Sequence, residues 1–378
     1  MANTLTDLAP DLYAALDVVG RELVGFIPAV NNNSTVERAA VGQDVVIPQT
    51  GDANVSDISP SMSVPEPTDQ TVGNVKATIT KSRAAEFGFV GEEQRKLRSG
   101  AGYLTVQADM ILQSMRKLVN EVESDIASTY ISTSRAIGTA GTTPFSTGKR
   151  ELGEVAKVIK DNGGWNPGNM NFVMDTSAGV NMGDLTLLNQ ANTANDDSML
   201  RQGVFGDVAG FSIRESAGVK SHTKGTGTGY LVAGAKSEGD TVIAVDTGSG
   251  TILAGDVITF AGDTNKYLVA IGTSGAGNIT LAKPGLLQDA ADNAAITVNN
   301  NYTANMAFER NSIVLATRMP ELPQEGDIAI DRMTITDPRS GLSFEVSIYP
   351  GHRKVRYEIA LAWGVKNIKP EHSAIVLG

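Results

Sequence analysis

Residues 103–131 read YLTVQADMILQSMRKLVNEVESDIASTYI. Leu104, Ala108, Ile111, Leu112, Met115, Leu118, Val119, Val122, Ile126 and Tyr130 recur at spacings of three and four. That spacing lays one apolar stripe along a helix. Gln113, Arg116, Lys117, Glu123 and Asp125 fall on the opposite face. At 1.5 Å per residue, 104–130 spans roughly 40 Å. The average helix has only about 11–12 residues. A helix this long crosses a whole domain as its backbone, and its Met and Leu positions are core rather than a cofactor pocket.

Upstream, residues 5–26 also keep helical spacing, through Leu5, Leu8, Leu12, Ala15, Leu16, Val19, Leu23 and Phe26. Asp7 and Asp11 stand near the start, where the helix dipole favours negative charge. Gly25 and Pro28 close the segment. Residues 44–90 have a different texture. DVVIPQT reads as a short strand closed by Pro48. A stretch with Pro60, Pro65 and Pro67 follows. The extended pattern then resumes, with Val75, Ala77 and Ile79 alternating with Lys76, Thr78 and Thr80. The segment reads either as a hairpin with a disordered tip or as a long two-stranded arm reaching beyond its subunit. Isolated hairpins are marginal in water, so an arm with few large apolar residues needs a partner.

Downstream, a Gly/Thr/Ser loop spans 138–148. The spacing predicts a helix over 149–161, stopped by Gly163 and Gly164. MNFVMD (170–175) reads as a buried strand, Thr176 and Ser177 offer a helix N-cap, and 203–216 reads as a turn and a strand. The texture changes over 222–302, where short apolar runs each end in Gly, Asp or Asn. That pattern predicts a small all-β barrel or sandwich. Longer strands return in SIVLATR, GDIAIDRMTITD, GLSFEVSIYPG and KVRYEIALAWGVKNIKP, with a turn at 337–341. Helix and strand alternate as in an α/β or α+β fold, with a β unit inserted into the mixed domain.

Composition removes several functions. The 378 residues carry 31 Lys plus Arg against 42 Asp plus Glu, a net charge of −11. That sign disfavours tight phosphate binding and docking on anionic lipid. Aromatic residues make up 5%, too few for a nucleic-acid stacking platform. Cys is absent, which removes disulfides, thiolate metal sites and Cys nucleophiles. The 40 glycines exceed the usual share of about 7% and concentrate in 225–285, as turns of the inserted unit do. Acidic residues precede any basic one at the N-terminus, so no signal peptide is expected. No apolar run approaches the ~18 residues of a membrane span.

No catalytic pattern survives inspection. In GTGTGYLVAG, Tyr230 and Val232 occupy the positions where G-x-G-x-x-G needs its last glycine. Around Gly148 and Lys149 a phosphate loop fails at Thr143 and Arg150. His222, His352 and His372 show no metal-binding spacing. A Ser-His-Asp set needs only to meet in space, so sequence leaves it open, but no G-x-S-x-G elbow is present. His352, after Pro350 and Gly351, reads as a solvated turn histidine. The acidic runs 195–197 and 289–293 lack calcium-loop spacing. Residues 92–98 mix charges, as exposed segments do. Asn32-Asn33-Ser34 fits a glycosylation pattern without a secretory context.

The order of parts resembles the major capsid proteins of tailed bacteriophages with the Hong Kong 97-type fold, and within them the coat-protein group of Salmonella podovirus P-twenty-two. The patches that carry the resemblance are LAGDVITFAG (253–262), NMAFERNSIVLATRMPELP (305–323) and YEIALAWGVKNIKPEHSAIVLG (357–378), the last with a Trp-Gly pair. The inserted unit, about 80 residues long, is shorter than in that group. The resemblance implies an N-terminal arm with helix (1–43), an extended loop (44–90) and a peripheral domain (91–148) with its spine helix at 104–130. It implies an axial domain (149–221), an inserted β-barrel domain (222–302) and a return to both main domains (303–378). It further implies a non-enzymatic virion shell subunit without cofactor, assembled in the bacterial cytoplasm as hexamers and pentamers around double-stranded DNA held without sequence specificity. Implied partners are scaffolding protein, portal protein and a candidate decoration protein, with no membrane. Ile58, Met62, Val64, Val72, Val75 and Ile79 of the arm are the expected intersubunit contacts. An encapsulin-like compartment shell and a hydrolase with a β-barrel accessory domain are the alternatives.

Overall fold

The computed structural model describes residues 24–50, 72–98, 103–185, 205–338 and 340–378, with 55, 57–60, 62 and 66 between the first two stretches. The helix expected over 5–26 lies almost wholly outside the described residues. The long helix spans Tyr103–Ala127 and then tightens into a 3₁₀ turn at Ser128–Ser132. Its stripe is buried as the spacing requires: Ala108, Ile111, Leu112, Met115, Leu118, Val119, Val122 and Ile126 all face inward, while Gln113 and Lys117 are exposed. Glu123, expected on the solvent face, is buried, and Asp125 is half-buried. The mixed-charge segment is also helical, over Gly91–Arg98.

The strands, in chain order, begin with β1 (Asn31–Ala39), β2 (Asp44–Thr50), β3 (Val72–Thr78), β4 (Lys81–Val90), β5 (Arg135–Ile137) and β6 (Met170–Met174). Next come β7 (Asp207–Val208), β8 (Phe211–Glu215), β9 (Ser221–His222), β10 (Leu231–Val232), β11 (Val242–Asp246), β12 (Val257–Phe260) and β13 (Lys266–Ile271). The last are β14 (Gly277–Leu281), β15 (Ile296–Val298), β16 (Tyr302–Glu309), β17 (Ile313–Pro320), β18 (Asp331–Thr336), β19 (Ser343–Gly351), β20 (Lys354–Asn367) and β21 (Ser373–Leu377).

A six-stranded sheet is organised by β20, which pairs antiparallel with β4, β17 and β19; β18 continues from β19, and β1 runs parallel to β17. The long helix packs against β4 and β20. Polar contacts set its position there. Asp125 accepts from the Trp363 indole N–H and the Lys81 ammonium, both at 2.8 Å, and Arg83 pairs with Glu121 at 3.3 Å. One apolar cluster continues from Phe344, Ile359 and Trp363 through Ile111, Met115 and Val122 to Phe308 and Ile375. The helix is therefore the seam between two sheets, which explains its length.

The second sheet contains the strand order β5-β21-β16-β6-β8-β7. Helices Arg150–Asp161 and Thr176–Gly183 bury Leu152, Val155, Ile159, Ala178 and Met182 against it. The N-cap of the second helix is Asp175, not Thr176 or Ser177: its carboxylate accepts the N–H of Ser177 and Ala178. Gly163, at φ +75°, ends the first helix by bonding back to Lys160 while Gly164 reaches Ile159.

Residues 222–302 form a ring, β10-β11-β14-β13-β12-β15, closed by an antiparallel bridge between Leu231 and Ala295. Tyr230, Ile243, Ile258, Phe260, Tyr267 and Leu281 fill its interior. The ring is not a free-standing unit, because β13 pairs with β5 and so merges it into a 13-stranded sheet. The joining strand is three residues long, too short to show as a strand in the sequence.

Candidate functional site

The arm is a two-stranded sheet, β2 with β3, in continuous register from Asp44↔Thr78 to Thr50↔Val72. Pro48 does not close β2 as expected but pairs with Asn74 inside it. Proline is tolerated there because the outer edge of β2 has no neighbour among the described residues to receive an N–H. At the root, the Thr78 hydroxyl donates to Asp44 at 2.6 Å and Lys76 pairs with Asp44 at 3.1 Å. Both contacts hold the Asp44 carboxyl below its usual range.

The Trp-Gly pair noted in the sequence secures this root. Trp363 is fully buried on the helix side of β20. A Cβ on Gly364 would sit 2.0 Å from the Thr78 carbonyl oxygen, so only glycine lets the arm root lie against β20. Thr80 N–H donates to the Trp363 carbonyl at 3.0 Å.

The six expected contact residues separate into three groups. Ile58, Met62 and Val72 are uncovered, at 98%, 109% and 65% exposure. Val75 is half-buried beside its cross-strand partner Ile47. Val64 lies outside the described residues. Ile79 is a correction: it is fully buried with Ala39, Ala316 and Ala362, so it anchors the arm and is not offered to a neighbour. Alternation alone could not separate a strand facing its own core from one facing another chain.

Val41, Val46 and Val55 are also exposed on the arm. A second uncovered pair, Ile328 and Ile330, precedes β18; the expected strand GDIAIDRMTITD begins only at Asp331. Here the Asp327 carboxylate accepts from Ile328 N–H at 2.7 Å and Tyr349 hydroxyl at 2.8 Å and pairs with Arg332. The Tyr349 bond, reinforced by Arg332, holds the Asp327 carboxyl below its usual range. The loop therefore presents its isoleucines in a set orientation. Its period-two pair, Ile328 and Ile330, faces solvent.

The histidines do not converge. His352 is exposed in the β19–β20 turn. His372 sits in a 3₁₀ turn against Gly164, where burial pushes its pKa down. His222 meets Asp256, but its other nitrogen faces the Tyr130 hydroxyl rather than a serine. Among the described residues, no group of three or more His, Asp or Glu is placed to hold a metal ion. No helix of the described residues is long and apolar enough to cross a membrane.

No protein-family profile and no curated protein matches the sequence. Among solved structures, the chain is similar to one from Mycobacterium phage Che8, with 12% identity, 95% of this chain and 92% of that chain covered, and a TM-score of 0.48. It is similar to the capsid of Cyanophage P-SCSP1u, with 11% identity, 95% and 89% coverage, and a TM-score of 0.49. It is also similar to the virus-like particle from Pyrococcus furiosus, with 9% identity, 97% and 96% coverage, and a TM-score of 0.42.

Proposed function

We propose that this chain is the major capsid protein of a tailed bacteriophage, a non-enzymatic subunit that assembles with its own copies into an icosahedral shell around double-stranded DNA. The observation that carries the reading is the arm. Its root is welded to β20 through Ile79 and Gly364, while Val46, Ile58, Met62 and Val72 are exposed among the described residues. Fully burying one such side chain contributes about 1.5–3 kcal/mol, against about 1–2 kcal/mol per residue for fixing backbone. A few side chains seated on a neighbour therefore give a weak contact, and weak contacts repeated around a shell suit correctable assembly.

The rigid helix-and-sheet body supports the same reading, since repeated contacts need a subunit of constant shape. The ring between β9 and β16 supports a place beside the podovirus group named from the sequence. The net charge of −11 suits a wall that does not grip packaged DNA. Scaffolding and portal proteins are the partners that this role would require, with a decoration protein as an optional one and assembly in the host cytoplasm. Electron microscopy of the purified chain, with and without a co-expressed scaffold, tests the proposal: closed shells are expected, and small soluble species under every condition overturn it. Particles filled with a protein cargo instead of DNA would indicate a compartment shell.

A further inference from the structure

The ring is joined to the rest of the fold at one end of the long helix. The chain enters it through β9 and leaves through β16, and these strands pair over only Tyr302↔His222 and Thr303↔Ser221. The other strand attachment, Lys266↔Ala136 and Tyr267↔Arg135, uses β5, which follows closely after Tyr130. Between these joints Val257, Leu268 and Ala282 of the ring pack into the main apolar cluster, and the Tyr302 hydroxyl donates to the Gly255 carbonyl; the strand pairing itself covers only two residue pairs at each joint.

A chain of buried side chains crosses the joint. The Tyr130 hydroxyl lies 2.8 Å from His222 Nδ1, and His222 Nε2 lies 2.8 Å from Asp256 Oδ1. Tyr130 comes from the 3₁₀ turn ending the helix, His222 from the neck and Asp256 from the turn that leads into β12 of the ring. Asp256 is fully buried, and Tyr130 and His222 are each 7% exposed. Burial, and then the nearby Asp256 charge, raise the Tyr130 pKa, and the phenol faces Nδ1. Nε2–H donates to Asp256. The carboxylate also accepts the N–H of Leu253 at 2.7 Å and of Gly225 at 3.0 Å. Gly255, at φ +94°, closes over the imidazole, where a Cβ would lie 2.9 Å from the ring atoms. Tyr302 packs on the other side, with its ring centroid 5.2 Å from that of His222.

We propose that Tyr130, His222 and Asp256 form a latch that makes the β ring and the long helix move as one body, and that the ring rocks about its neck when the latch is cut. The proposal is independent of what the protein assembles into. Each link is buried, so an opened latch leaves the imidazole short of a partner and the carboxylate with only the N–H groups of Leu253 and Gly225.

Hydrogen–deuterium exchange of the full chain tests this with Tyr130→Phe and His222→Phe. Joint amides at 135–136, 221–222, 266–267 and 302–303 should exchange at least about tenfold faster, equivalent to ~1.4 kcal/mol. The β11–β14 pairing within the ring and residues 111–122 of the helix should keep wild-type protection. Asp256→Asn, which retains an acceptor for Nε2–H, should lose less protection than His222→Phe. Wild-type protection at the joint in Tyr130→Phe overturns the latch, as does a uniform rise across ring and helix. If His222→Phe does not fold, the isosteric Tyr130→Phe decides alone.

Discussion

The Glu123 carboxylate accepts the backbone N–H of Phe26 at 2.7 Å, although 97 residues separate them. The same group takes the N–H of Gly25 at 2.7 Å and of Ile27 at 3.0 Å, and the Ser216 hydroxyl at 2.6 Å. Three successive amides form a concave anion site, filled by a side chain of the long helix. Phe26 then stacks on Phe308 in the main core. Glu123→Ala should cost about 3 kcal/mol or more, because several buried donors lose their acceptor together. Thermal unfolding should show a midpoint several degrees lower. An unchanged midpoint would mean water replaces the carboxylate.

Gly364→Ala should weaken the arm root, since the new methyl meets backbone carbonyl rather than a side chain that can turn away. The expected loss is about 1–3 kcal/mol, typical of overpacking. Limited proteolysis should show faster cleavage within 41–79 while the rest of the chain survives. Cleavage spread evenly over the chain would contradict this.

Ile58 and Ile79 should behave oppositely. Ile58→Asp, on an uncovered side chain, should leave subunit stability within about 0.5 kcal/mol and impair shell closure. Ile79→Ala should cost about 2–5 kcal/mol, as in other core truncations. Deleting residues 56–72 should likewise leave a folded monomer that closes shells poorly. Denaturant unfolding separates the two classes, and an Ile58 variant that unfolds would place the arm tip in the subunit's own core.

Asp327 should introduce an acid-dependent element. Its carboxyl is held below its unfolded value by Tyr349 and Arg332. A depressed acid contributes its stability above its unfolded pKa, about 3.9, and loses it as pH falls through the folded value. The loop at 327–330 should therefore loosen only below about pH 4. Asp327→Asn should flatten that part of the stability–pH curve and leave the curve above pH 5 parallel to wild type. Titration of unfolding midpoints from pH 2.5 to 7 measures this.

Much of the fold is legible because helix and strand periodicities are local. The stripe from Ala108 to Ile126, the paired runs of β2 and β3, and the Gly-punctuated strands of 222–302 depend only on neighbours in the chain. So do Gly163 as a helix stop and His352 as a turn residue. The arm, as a place where apolar residues lack cover, could also be read from its prolines and its few large side chains.

What tertiary structure alone decided is which apolar or charged residue meets which surface. A helical wheel puts Glu123 opposite the Leu stripe; its burial depends on amides almost a hundred residues upstream arriving at that face. Ile58 and Ile79 look alike along the arm, and Ala39 together with Ala316 and Ala362, from strands far along the chain, buries the second. His222 and Asp256 meet because the ring folds back onto the end of the long helix. Local spacing determined the elements and the class of surface each carries. Long-range packing, which trades water for protein partners one group at a time, determined which of those groups the subunit uses itself and which it leaves for others.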